Sequence, residues 1–145
     1  MTNTDAPRID AFLQFYNDLS SHNLAALERV YHPQVRFIDP VHQIEGIKAL
    51  EQYFSHAYER LLQCEFIGQD KIEQGDKGCV SWTMRFSHDA IGNGKLIEVD
   101  GCTVVHWQDG LIIYHRDYYD LDQMVLQHLP VLGWLTAKVK QKMAN

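Results

Sequence analysis

VVHWQDGLIIYHRDYYD, residues Val104–Asp120, runs two stretches of alternating side chains into and out of the turn Trp107-Gln108-Asp109-Gly110. Alternation with a period of two places every second side chain on the same face of a strand, so this segment predicts two long antiparallel strands. Upstream, residues 65–73 and 78–88 repeat the pattern, and EQGDKG (Glu73–Gly78) and DAIGNG (Asp89–Gly94) punctuate it with turns. Strands are therefore expected over residues 65–73, 78–88, 95–107 and 111–119, joined as a meander.

The first half of the chain has a different period. Ile9, Phe12, Leu13, Tyr16 and Leu19 recur at helical spacing behind Pro7. A second short helix is expected from Leu24 to about Tyr31, capped by Asn23 and stopped by His32-Pro33. VRFID (Val35–Asp39) reads as a short strand, and Ile47, Leu50, Tyr53, Phe54, Ala57, Tyr58 and Leu61 form the apolar face of a third helix after Gly46. Helices first and strands later predict an α+β fold: a cone-shaped, curved antiparallel (mixed) sheet wrapped around three N-terminal helices. Helical spacing resumes after Asp120, where Pro130 and Gly133 should kink or split an extra C-terminal helix. That helix is expected to act as a lid, pack on a second subunit, or lie on a membrane surface through Lys138, Lys140 and Lys142.

One domain is expected over residues 1–145, with a core at about 9–120 and a helical extension at about 121–143, since 145 residues with 46% apolar and 22% charged content suit one soluble core. A net charge of −6 without a basic stretch argues against nucleic-acid binding, which rests on cationic neutralisation of phosphates. MTNTDAPRID (Met1–Asp10) lacks the basic and apolar regions of a secretory leader, and no transmembrane segment is evident, so a cytoplasmic protein is expected. The three cysteines, Cys64, Cys79 and Cys102, are widely spaced and suggest neither a disulfide framework nor a zinc site. No metal is expected, because the eight histidines include no i, i+4 pair and no His-x-His group.

RFIDPVHQIEG (Arg36–Gly46) sets Asp39 directly before Pro40 where a strand stops. Asp-Pro favours turns, so Asp39 is either a turn residue or an acid at the mouth of a cavity. On FIDPVHQIEG, the following Tyr53-Phe54 and VVHWQDGLIIYHRDYYD, the chain resembles the nuclear transport factor 2-like superfamily over about residues 9–120. That group includes ketosteroid isomerases, limonene epoxide hydrolases and SnoaL-like polyketide cyclases, and the SnoaL-like branch is the best fit. The resemblance implies that Asp39 stands where ketosteroid isomerases carry their proton-transferring aspartate. An ungapped count back puts Phe15 at the place of that family's helix-one tyrosine and Tyr16 one position on, turned by about 100°. Thr103 falls at the place of its protonated aspartic acid. Asp117 matches the acid/base aspartate of SnoaL-like cyclases on the final strand.

Alternation sets His115, Asp117 and Tyr119 on one face, Trp82, Met84 and Phe86 on one face of an earlier strand, and Thr103 and Val105 on one face of the strand between. The candidate catalytic residues are therefore Asp39, His115 and Asp117. The candidate substrate-binding residues are Phe15, Tyr16, Trp82, Met84, Phe86, Thr103, Val105 and Tyr119. A carboxyl in an apolar pocket beside a second acid is held protonated to higher pH by desolvation and like charge, which suits return of a proton to carbon. The expected function is a cofactor-independent isomerase or cyclase acting on a hydrophobic carbonyl compound, with Asp39 or Asp117 as base and His115 or Thr103 polarising the oxygen. The alternative is a noncatalytic ligand-binding or protein-interaction module of the same fold. Each acid has a plainer role as well: Asp39 in its turn, Asp117 as partner of Arg116 or a neighbouring cation, and Asp120 as cap of the C-terminal helix. His115 has the alternative of a hydrogen-bonded core histidine. Arg116 and Asp117 face opposite sides of a strand, which counts against the Asp-Arg-Asp set of an epoxide hydrolase. A homodimer through the outer sheet face is expected.

Overall fold

The computed structural model describes residues 5–145; residues 1–4, the start of the Met1–Asp10 stretch in which no leader is expected, lie outside them. Helix α1 (Pro7–Asp18) begins with proline at a position where the missing N–H is no loss, and buries Ile9, Phe12 and Leu13. A 3₁₀ turn at Leu24–Ala26 leads into the single turn α2 (Leu27–Val30). Asn23 does not cap this helix with its side chain. Its Oδ1 instead accepts from Ser20 N at 2.7 Å and its Nδ2 donates to Asp18 O at 2.8 Å, which closes the loop back onto α1.

Strand β1 (Tyr31–Ile38) starts four residues earlier than VRFID suggests, so Tyr31 belongs to a strand and not to a helix face. Pro33 is tolerated inside it because the pairing of β1 shifts register between Tyr31 and Arg36, leaving a place without a ladder donor. A short return strand, β2 (Gln43–Glu45), follows the Asp39–His42 turn, and Gly46 at φ 87° turns the chain into α3 (Ile47–Tyr58). Only glycine adopts that backbone without strain. Leu50 and Phe54, one turn apart on α3, are buried, each contributing about 1.5–3 kcal/mol relative to exposure.

Four long strands follow: β3 (Leu61–Gln74), β4 (Lys77–His88), β5 (Ile97–Gln108) and β6 (Leu111–Tyr119). The six strands form one mixed sheet in the order β2-β1-β6-β5-β4-β3, with only β1 and β6 parallel. The fold is thus α+β as expected, although the sheet remains open between its edges β2 and β3 and does not curl closed. The core holds Ile9 and Leu13 of α1, Leu27, Tyr31, Leu50, Val80 and Val105.

Asp120 caps the next helix as expected, accepting from Asp122 N at 2.9 Å and Gln123 N at 3.3 Å. This helix, α4 (Leu121–Met124), is followed by a 3₁₀ turn at Leu126–His128 and by α5 (Pro130–Ala144). Proline splits the segment by starting α5, whereas Gly133 lies inside α5 without breaking it, against the Gln127 carbonyl. Among the described residues no helix is long and apolar enough to cross a membrane.

Candidate active site

The parallel pairing of β1 with β6 decides which acids meet. Phe37 lies opposite His115 in this register, so Asp39, just past the end of β1, comes to the same end of the sheet as Asp117 of β6. Both border a cavity of about 300 Å³ between the sheet and α3. Trp82, Met84, Phe86 and His88 of β4, Cys64 and Phe66 of β3, and Phe54 and Tyr58 of α3 make its walls largely apolar, and Met124 and Val125 stand at its rim.

The two carboxylates differ in what holds them. Asp39 is buried, and its Oδ1 accepts from Val41 N at 2.8 Å and His42 N at 2.6 Å. Tyr53 Oη donates to its Oδ2 at 3.0 Å, and His42 Nδ1 lies 3.1 and 3.2 Å from the two oxygens. A carboxylate offers about four lone-pair sites, so Asp39 is nearly saturated. It is both the turn residue and a cavity-lining acid.

Asp117 is held through one oxygen only. Thr103 is its cross-strand neighbour and donates to Oδ1 at 2.6 Å, while His115 Nε2 lies 2.7 Å from the same atom. Trp82 Nε1 donates to Thr103 Oγ1 at 2.8 Å. An indole N–H cannot accept, so the direction of this chain is settled: Trp82 to Thr103 to Asp117. Among the described residues no donor meets Asp117 Oδ2. Arg116 is not its partner; the guanidinium lies over the Tyr118 ring at 4.8 Å, on the opposite side of β6. On its own strand the hydrogen-bond partner of Asp117 is His115.

Several expected site residues take other positions. Thr103 has one hydrogen, used on Asp117, and so cannot polarise a ligand carbonyl. His115 is 1% exposed and lies under the floor of the main cavity, bonded to the cavity-lining Asp117. Val105, opposite His115 in the same row, is fully buried and belongs to the core. Tyr16 lines the cavity in place of Phe15, which packs edge-on against it at 5.5 Å between ring centroids. Trp82, Met84, Phe86 and Tyr119 do line the cavity, as alternation requires.

Tyr31 and Tyr53 were missed as site residues. Tyr31 Oη lies 2.9 Å from His115 Nδ1 and is also hydrogen-bonded to the Tyr16 hydroxyl. The period-two run Tyr31, Pro33, Val35, Phe37 marks Tyr31 as a strand residue, while the His32-Pro33 pair imitates a helix stop. Burial raises Tyr16, Tyr31, Tyr53, Tyr58 and Tyr119 well above the ordinary phenol range, with nearby carboxylates adding to this at Tyr53 and Tyr119. Burial also pushes the Cys64 thiol up to about 12. A raised phenol favours the folded state below the unfolded value of about 10, and that stability is lost as pH rises above it. The tyrosinate absorbance of these five residues is therefore expected to appear together with loss of the far-ultraviolet circular dichroism signal in an alkaline titration. Tyrosinate formation with the dichroism unchanged would contradict this.

Among the described residues no group of three or more His, Cys, Asp or Glu side chains is arranged to hold a metal ion. No curated protein matches the chain by sequence. Its fold is similar to that of a SnoaL-like polyketide cyclase candidate from Jannaschia sp. CCS1, at 18% identity and a TM-score of 0.68, covering 81% of this chain and 90% of that one. A protein of ketosteroid isomerase-like fold from Catenulispora acidiphila DSM 44928, crystallised with trimethylamine, matches at 15% identity and a TM-score of 0.74, over 87% and 96% of the two chains. TerC, co-crystallised with polyporic acid, matches at 20% identity and a TM-score of 0.65, over 79% and 92%. At these identities the likeness shows the fold alone. Residues 12–115, most of the chain, match the SnoaL-like domain family, and the protein belongs to that family.

Proposed function

We propose that the cavity binds a small hydrophobic carbonyl compound and that Asp117 moves a proton to and from the carbon beside the carbonyl, as in a cofactor-independent isomerase or cyclase. The observation that carries this is the asymmetry of the Asp117 carboxylate. Oδ1 is fixed by Thr103 and His115, and Oδ2 has no donor of the described chain. An oriented carboxylate with a free oxygen in an apolar cavity is what a general base at carbon requires. Asp39, with both oxygens engaged, serves to hold Tyr53 and the turn. Tyr58 and Tyr119 supply protonated hydroxyls on the cavity wall that can donate to the carbonyl oxygen.

The second reading, a noncatalytic ligand-binding module, is favoured by the apolar walls alone, which would serve either role. Exchange in deuterated solvent separates the two. A panel of planar apolar ketones is incubated with the protein, and deuterium at the carbon next to the carbonyl is followed by proton NMR. At least one ketone is expected to exchange faster than in buffer. Binding that quenches Trp82 fluorescence without any exchange across the panel would leave the ligand-binding reading in its place.

A further inference from the structure

Tyr16, Tyr31, His115 and Asp117 form one unbroken line of hydrogen bonds from the cavity wall, under its floor, and back to the cavity acid. Tyr16 meets Tyr31 hydroxyl to hydroxyl; Tyr31 Oη lies 2.9 Å from His115 Nδ1; His115 Nε2 lies 2.7 Å from Asp117 Oδ1. A carboxylate at Asp117 can only accept, so His115 Nε2 carries a hydrogen; with the ring in its neutral form, Nδ1 is then an acceptor. Tyr31 must then donate to Nδ1, and its oxygen must receive the hydrogen of Tyr16. Tyr16 has no hydrogen left for a ligand and offers the cavity only a lone pair. The end of the line that faces a ligand is therefore built to take a hydrogen, which a ketone does not have to give at oxygen and an enol or a phenol does.

We infer that the cavity recognises compounds with an acidic hydroxyl, enols or phenols, and ionises them by passing the proton through Tyr16 and Tyr31 to His115. This deepens the carbonyl reading above and rests on the same cavity, since an enol is the tautomer of the ketone that Asp117 would deprotonate at carbon. The transfer balances without any other reactant. The ligand O–H breaks as its proton joins Tyr16 oxygen, the Tyr16 hydrogen passes to Tyr31, and the Tyr31 hydrogen forms the N–H bond at His115 Nδ1. The ligand is left as an oxyanion that accepts from Tyr16, and the new imidazolium donates through Nε2 to the Asp117 carboxylate, which offsets its charge. Tyr16 touches the ligand, while Tyr31 and His115 act through it. The other titratable groups facing the line are Asp39 and Tyr53 from the β1 end and α3, Tyr58 of α3 and Tyr119 of β6; Cys102 lies behind it, on the outer face of the sheet. Burial holds these tyrosines in the hydroxyl form and pushes the Cys102 thiol up to about 11.

The probe is para-nitrophenol, whose visible absorbance separates phenol from phenolate. It is titrated at a pH one unit below its free ionisation, where about a tenth of the free ligand is ionised. Wild-type protein is expected to bind it mostly as phenolate, a several-fold gain in the ionised fraction. Calorimetry in two buffers of different ionisation enthalpy should show almost no proton released to solvent, because His115 keeps it. Tyr31→Phe cuts the line in the middle and is expected to bind the neutral phenol. Tyr16→Phe, which leaves the buried Tyr31 to His115 bond in place, should lose the phenolate in the same way if Tyr31→Phe fails to fold. Nitrogen-15 NMR of wild-type His115 should show both ring nitrogens protonated in the complex. Binding of the neutral form by wild type, no binding at all, or equal phenolate in the tyrosine variants overturns the inference. Ketone exchange through Asp117 is read in a different experiment, so loss of one reading leaves the other to stand or fall separately.

Discussion

Asp117→Asn is expected to slow exchange of a bound ketone's hydrogen by about 10²- to 10⁴-fold, the usual contribution of a positioned general base. The substitution is isosteric, and an asparagine oxygen at the Oδ1 position still accepts from Thr103 and His115. Folding should therefore be kept while the basic oxygen is replaced by an amide nitrogen that cannot take a proton. Asp39→Asn provides the contrast. Its carbonyl oxygen can still receive Val41 N and His42 N, and its amide can donate to Tyr53, so activity should fall by less than about tenfold. Exchange rates by NMR beside melting temperatures check both variants. Equal losses from the two, or full activity in Asp117→Asn, would remove Asp117 from the role of base.

Gly101→Ala should be the most destabilising single methyl addition near the site, by about 1–3 kcal/mol. Trp82 faces Gly101 across β4 and β5, and a Cβ built at Gly101 would stand 2.3 Å from the indole. The ring has nowhere cheap to go: Trp82 is 3% exposed and its Nε1 is bonded to Thr103 at 2.8 Å. Moving it breaks that bond, at a further cost of about 1 kcal/mol, and frees the hydroxyl that orients Asp117. Urea denaturation measures the loss. Adding Trp82→Phe should recover part of it, as a double-mutant cycle would show. No loss in Gly101→Ala would mean that the indole does not depend on the missing side chain.

These two positions also show how far the chain could be read unaided. Asp117 was legible because alternation is a local property: His115, Asp117 and Tyr119 share a face whatever β6 pairs with. The four long strands, the cap at Asp120 and the β4 wall of the cavity were legible for the same reason. Tyr31 was not, because a proline one residue beyond its neighbour imitates a helix end, and only the register shift in β1 shows that a strand can hold it there. Gly101 carries no signal in the sequence. Its meaning is the indole lying on it from the next strand.

The sequence by itself determined the fold class and which side chains turn inward, since periodicity, turn residues and capping act over a few neighbouring residues. Only the tertiary structure decided how each inward acid is held. The parallel pairing of β1 with β6 brought Asp39 and Asp117 to one cavity, and their donors then made them unlike: Tyr53 of α3 joins the local turn donors in saturating one, while Thr103 of the neighbouring strand and the nearby His115 fix one oxygen of the other and leave the second open. A carboxylate's chemistry lies in its unoccupied lone pairs, and these are set by whichever distant groups the fold brings within about 3 Å of it.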